Sequence, residues 1–122
     1  MKISIFDFNE VKVAELISDK ILINTVDDAL DLIGNCGYLG ASKIIVHEKN
    51  LSKHFFDLKT QLAGEILQKF SNYDFSLGIV GEFNKFESKS LKDFIHESNK
   101  TGRVFFVQNV DQAKERLTLR RN

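Results

Sequence analysis

Three short apolar runs, "KIIVHE" at 43–48, "SLGIVG" at 76–81 and "RVFFVQ" at 103–108, alternate with stretches whose apolar residues recur every three or four positions. The runs lack in-out alternation, which marks strands covered on both faces. The stretches between them carry the period of amphipathic helices. Repetition of strand and helix implies a mostly parallel sheet joined by crossovers. A further pair of runs, 3–8 and Val11–Ile17, flanks Asn9-Glu10 and reads as an antiparallel hairpin at the sheet edge. The expected fold is a single α/β domain in the order ββαβαβαβα, with about five strands and about four helices.

Helix limits follow from caps and punctuation. Val26, Ala29, Leu30 and Ile33 share one face, and Thr25 with Asp28 predicts a reciprocal cap before them. Gly40 is the best stop for that helix. A second helix is predicted over 56–72, with Leu58, Leu62, Ile66 and Phe70 as its stripe and Asp57 at its start. Gly64 inside it costs about 1 kcal/mol relative to alanine, a cost usually offset by close packing. The third helix is expected to begin at Ser90, capped with Asp93, and to stop at Gly102. Asn109 opens a short last helix carrying Val110, Ala113 and Leu117, with a frayed "LRR" tail.

The 122 residues suffice to bury a core without metal or disulfide staples. Seventeen basic residues balance seventeen acidic ones, which argues against a nucleic-acid partner bound by bulk charge. One cysteine, Cys36, has no internal partner and suits a reducing compartment. No apolar run is long enough to span a bilayer and no signal-like segment precedes the first strand. Cytoplasmic location without membrane association is the expectation, and nothing in the sequence calls for a cofactor.

Two blocks, "FFDLKTQLAGEILQKFSNYDFSLGIVG" and "SKSLKDFIHESNKTGRVFFV", supported by "DDALDLI", resemble an uncharacterised bacterial family, domain of unknown function 4180. The resemblance covers nearly the whole chain and implies no activity. More distantly, Phe56-Asp57 with "LKTQLAGEIL", and "VFFVQNVDQAKERL", resemble segments of the STAS domain, the fold of anti-sigma-factor antagonists and sulfate-transporter tails. That resemblance implies a regulatory protein-docking module. The STAS signature ends in Asp-Ser-Ser-Gly, whereas this chain reads Asp57-Leu58-Lys59-Thr60, so only Thr60 stands where a switchable serine would.

In a parallel sheet, ligands and partners meet the loops at the carboxyl ends of the strands. Two such loops carry candidates. Around 54–60 lie His54, Asp57, Lys59 and Thr60; Asp57 is either a helix starter or part of a site. At 82–90 lie Glu82, Lys85, Ser88, Lys89 and Ser90, which either cap a helix or hold a phosphate-like anion. This segment lacks the glycine pattern of a phosphate loop. Phe83 and Phe86 are either an exposed patch or, for at least one of them, part of the core.

The histidines, His47, His54 and His96, are not spaced as metal ligands. No serine sits in a nucleophile elbow, and Cys36 reads as a quiet, part-buried thiol. A site made of His47, His54, Asp57, Thr60 and Glu82 would need convergence that sequence alone does not reveal. The leading expectation is a non-enzymatic module that docks a protein partner through 54–60 and 83–90, with Thr60, Ser88 or Ser90 as sites of phosphoregulation. The alternative is a protein that binds a small anionic molecule or nucleotide at 85–90. Self-association through the hairpin edge is a third possibility.

Overall fold

In the computed structural model, which describes residues 2–119, β1 (Lys2–Phe8) and β2 (Val11–Ile17) form the antiparallel hairpin. Asn9 and Glu10 turn the chain with both φ angles positive, 51° and 65°, the geometry whose twist suits a two-residue hairpin loop. Then follow α1 (Val26–Tyr38), β3 (Lys43–His47), α2 (Leu62–Asn72), β4 (Ser76–Val80), α3 (Lys89–Thr101), β5 (Val104–Val107) and α4 (Val110–Thr118). The five strands lie side by side in sequence order, and β2 to β5 are all parallel. The expected class and element order hold. The predicted fraying of "LRR" falls mostly outside the described residues.

The parallel strands bury both faces, as their unbroken apolar runs require. Ala14, Leu16, Ile44, Val46, Leu77, Ile79, Val104 and Phe106 point to one side and meet α1 and α2, with Phe94 and Ile95 of α3 packed alongside. Val13, Ile45, Phe105 and Val107 point to the other and meet Ala113 and Leu117 of α4. Gly78 permits that second layer. A Cβ there would sit 3.1 Å from the Ala113 Cβ and 3.3 Å from Leu117 Cδ1, so α4 rests directly on the β4 backbone.

The first helix starts as its cap predicts: Thr25 Oγ1 accepts from Asp28 N, and Asp28 Oδ2 accepts from Thr25 N, each at 3.1 Å. Two other starts differ from expectation. Rather than running from residue 56, α2 begins at Leu62, after two 3-10 turns, Lys53–Phe56 and Leu58–Thr60. Gln61, at φ 65°, breaks the path between them and the helix. A left-handed residue cannot propagate a right-handed helix, so the apolar period continues through Leu58 without helical continuity. At α3 the cap is Ser88, which accepts from Leu91 N at 3.2 Å; Ser90 lies inside the first turn. Asp93 instead receives Lys89 Nζ at 2.9 Å.

The expected close packing at Gly64 is also absent. A Cβ at Gly64 would meet nothing within 4 Å, because this residue lies on the exposed side of α2.

Candidate functional site

Three backbone turns are concentrated where β3 and β4 end. Immediately after His47 the chain makes a 3-10 turn, Glu48–Asn50, and Asn50 is fully buried. Its Nδ2 donates to Ser18 O and Lys20 O, both at 2.9 Å, while its Oδ1 accepts from His47 N at 3.0 Å. One amide side chain thereby ties the segment after β2 to the end of β3. Beside it, His47 Nε2 lies 3.0 Å from Glu15 Oε2, a pair across neighbouring strands.

Glu48 joins its own turn to the loop that follows β4. Its Oε1 accepts from Glu82 N at 3.2 Å, and its Oε2 pairs with Lys85 Nζ. Gly81, just after β4, leaves the room this carboxylate occupies. Lys85 also stands over the Phe86 ring, 5.5 Å from its centroid.

Aromatic rings fasten the two predicted loops to each other. Phe56 stacks on Phe86 with centroids 5.0 Å apart and planes 17° from parallel. Phe83 lies 6.2 Å from Phe56 and meets Phe106 edge-on at 5.3 Å. Phe83 thus packs against the core, as expected of at least one of the pair, while Phe86 remains half-buried on Phe56. The segments 54–60 and 83–90 are neighbours in space. Between them and the strand ends opens a groove of about 790 Å³, whose walls include Val80, Phe56 and Phe86, with Lys53, Lys85 and Glu82 at its margin.

The sequence candidates divide between groove and scaffold. Glu82 and Lys85 line the groove. His54, Asp57, Lys59 and Thr60 form the exposed turn behind Phe56. Asp57 caps only the short second turn, accepting from Lys59 N at 3.2 Å; it does not start α2. The Thr60 hydroxyl lies 2.6 Å from His54 O and 2.8 Å from Asp57 O, so its single proton binds this turn. Its oxygen also accepts from Leu62 N at 3.2 Å.

Ser88, Lys89 and Ser90 stand at the start of α3, outside the groove lining. There the Asp93 carboxylate holds the Lys89 ammonium above its ordinary value by hydrogen bonding and charge. The Ser88 hydroxyl is occupied with the helix cap. Lys85 and Lys89 therefore each face a carboxylate rather than an open anion cradle. Among the described residues, no group of three or more His, Cys, Asp or Glu stands together as a metal site. His47, His54 and His96 remain apart in role: His47 pairs with Glu15, while His54 and His96 are exposed.

Sequence reasoning missed Glu48, Asn50, Lys53 and the part played by Phe56. A signal existed for Phe56, because the adjacent aromatics Phe55-Phe56 precede a loop with aromatics at 83 and 86. Nothing local distinguishes Asn50 from any polar turn residue.

A family model described as "Domain of unknown function (DUF4180)" matches residues 8–117. The chain belongs to this family. Its matched span runs from the hairpin turn into α4 and contains the groove and both loops that frame it. No curated protein matches the chain. Membership in DUF4180 carries no activity, so the function must be argued from the groove. Among the described residues no helix is long and apolar enough to cross a membrane.

Proposed function

We propose that this DUF4180 protein is a non-enzymatic docking module, and that the groove beside Phe56 and Phe86 receives an extended segment of a protein partner. The stacked Phe56–Phe86 pair supports this reading most directly. Half-buried rings present apolar area at low entropy cost, and such aromatic anchors dominate protein interfaces. The surrounding groups add polarity without a catalytic arrangement: Glu48 is engaged by Lys85, and His47 by Glu15. Lys53, exposed at the margin, suits a carboxylate on the incoming segment. The STAS-like resemblance of 56–67 points to the same edge as a regulatory surface, with Thr60 as the residue whose modification would alter it.

The test is affinity capture from an extract of the source organism with Phe86→Ser, Lys53→Glu and, as an off-groove control, Lys92→Glu. Folding of each is checked by circular dichroism. Proteins retained by the parent and the control should be lost with both groove variants. Equal capture by all four chains would exclude the groove as the docking surface.

The groove's size favours a second reading, since about 790 Å³ also suits a small molecule. Thermal shift against metabolites separates the two. A ligand at one hundred times its dissociation constant stabilises by about 2.7 kcal/mol, whereas a pure protein-docking groove gives no such shift.

A further inference from the structure

The outer edge of β1 offers a different surface, on the far side of β2 from the groove and independent of the groove reading. β1 is the first strand of the sheet, pairs only with β2, and runs for seven residues without proline or bulge. Across the two-residue turn, Phe8 opposes Val11, and in such a hairpin these two exchange both backbone hydrogen bonds. Counting back in steps of two, Phe6, Ser4 and Lys2 face their β2 partners in the same way. Ile3, Ile5 and Asp7 therefore each turn one N–H and one C=O outward, and no hydrogen bond to those groups is present among the described residues.

Exposed edges of this kind are normally blunted by proline, a bulge, a covering loop or inward-pointing charge. Here the strand has charges only near its ends, Lys2 at one and Asp7 at the other. We propose that the β1 edge pairs antiparallel with β1 of a second copy of this chain, joining two sheets across a two-fold axis. Antiparallel partners must share a face, which restricts the register to odd residues opposite odd residues. Only one such register uses every outward group of Ile3, Ile5 and Asp7: Ile5 opposes its own symmetry mate, and Ile3 opposes Asp7 of the partner copy. In that register Lys2 opposes Phe8 of the partner copy, and its side chain lies on the other sheet face from Asp7. The match is therefore one of hydrogen bonding: every outward group of both strands is paired, which makes a copy of itself the occupant the edge suits. Closure by the two-fold consumes the β1 edge of both copies, and at the opposite edge of each sheet the Asn99 side chain already bonds both Phe106 N and Phe106 O on β5, so the assembly stops at two chains. Each groove stays open, because β2 separates it from the joined edges.

Sedimentation equilibrium together with amide exchange tests this directly. The full chain should reach a mass twice the 14.0 kDa of one copy as concentration rises from micromolar to millimolar. Over the same range the amides of Ile3, Ile5 and Asp7 should become protected, whereas those of Ser4 and Phe6 are protected throughout. Asp7→Pro removes an outward N–H from an exposed position and leaves the β2 ladder intact. It should weaken the dimer at least about tenfold, as expected for two lost backbone hydrogen bonds. A chain that remains at 14.0 kDa, or a dimer in which the Ile3, Ile5 and Asp7 amides still exchange freely, overturns the proposal.

Discussion

Glu48 lies across Gly81 so closely that a Cβ on Gly81 would fall 2.6 Å from Glu48 Oε1 and 2.7 Å from Glu48 Cβ. The glycine is there for space. Without a side chain at 81, the Glu48 carboxylate reaches both Glu82 N and Lys85 and fixes the loop that carries Phe83 and Phe86. Gly81→Ala should cost about 1–3 kcal/mol through this clash, measured by urea unfolding. Glu48→Gly removes both obstructing Glu48 atoms, whereas Glu48→Ala would keep the Cβ, so the Gly81→Ala/Glu48→Gly double variant should be more stable than the sum of the two single losses predicts. A neutral Gly81→Ala would mean that the loop yields without cost and that Glu48 does not set it.

Asn50 should be among the least replaceable polar residues. Its buried side chain donates to two carbonyls and accepts from one amide, so Asn50→Ala leaves all three groups without a partner. The expected loss is about 2–4 kcal/mol. Asn50→Asp is a sharper test, because a carboxylate offers no donor to Ser18 O and Lys20 O. Burial against two carbonyl oxygens raises that carboxyl's folded-state pKa, so the variant gains stability as pH falls through the raised value. Relative to the parent it should be less defective at about pH 4 than at about pH 7.

Two helical glycines should behave oppositely to Gly81. Added Cβ atoms at Gly34 in α1 and Gly64 in α2 meet nothing within 4 Å, and neither residue has a positive φ. Each replacement by alanine should stabilise the chain by about 0.5–1 kcal/mol through helix propensity alone. A destabilising Gly64→Ala would point to a close approach to that face that the fold lacks.

These contrasts show what was legible beforehand. Apolar runs without alternation marked β3, β4 and β5, since burial on both faces leaves its mark in composition at every position. Thr25 and Asp28 announced α1 because a reciprocal cap is a local device. The start of α2 was misread because Leu58 keeps the helical period while Gln61 adopts a left-handed backbone, which its side chain does not advertise. Both candidate loops were placed at the correct sheet edge by topology. Their clasp was not legible, because Glu48, Gly81, Phe56 and Phe86 meet only through the crossing of chain segments distant in sequence.

Cys36 predicts the alkaline behaviour of the core. Burial pushes its thiol from 9.0 up to about 11. Between these values the unfolded chain ionises the thiol and the folded chain keeps its proton. The contribution is therefore fully present below about pH 9 and is lost as pH rises through about 11. Cys36→Ala should flatten this part of the stability profile. In the parent at neutral pH, a thiol reagent should react only as fast as the protein opens, and denaturant should accelerate it strongly.

Thr60 connects the scaffold to the proposed docking surface. Its hydroxyl binds the turn from His54 to Asp57 and also serves Leu62 N, so modification there would undo a latch as well as add charge. Thr60→Val keeps the branched shape and removes the hydroxyl; it should cost about 1 kcal/mol, the usual effect of a lost cap. It should also speed amide exchange at Gln61 and Leu62. Thr60→Glu removes the same bonds and places a negative charge near Asp57. If the two variants lose partner capture equally, Thr60 acts through the geometry of the turn that carries Phe56. If only Thr60→Glu loses it, charge is the signal, as phosphorylation would require. Unchanged capture by both would remove Thr60 from any regulatory role.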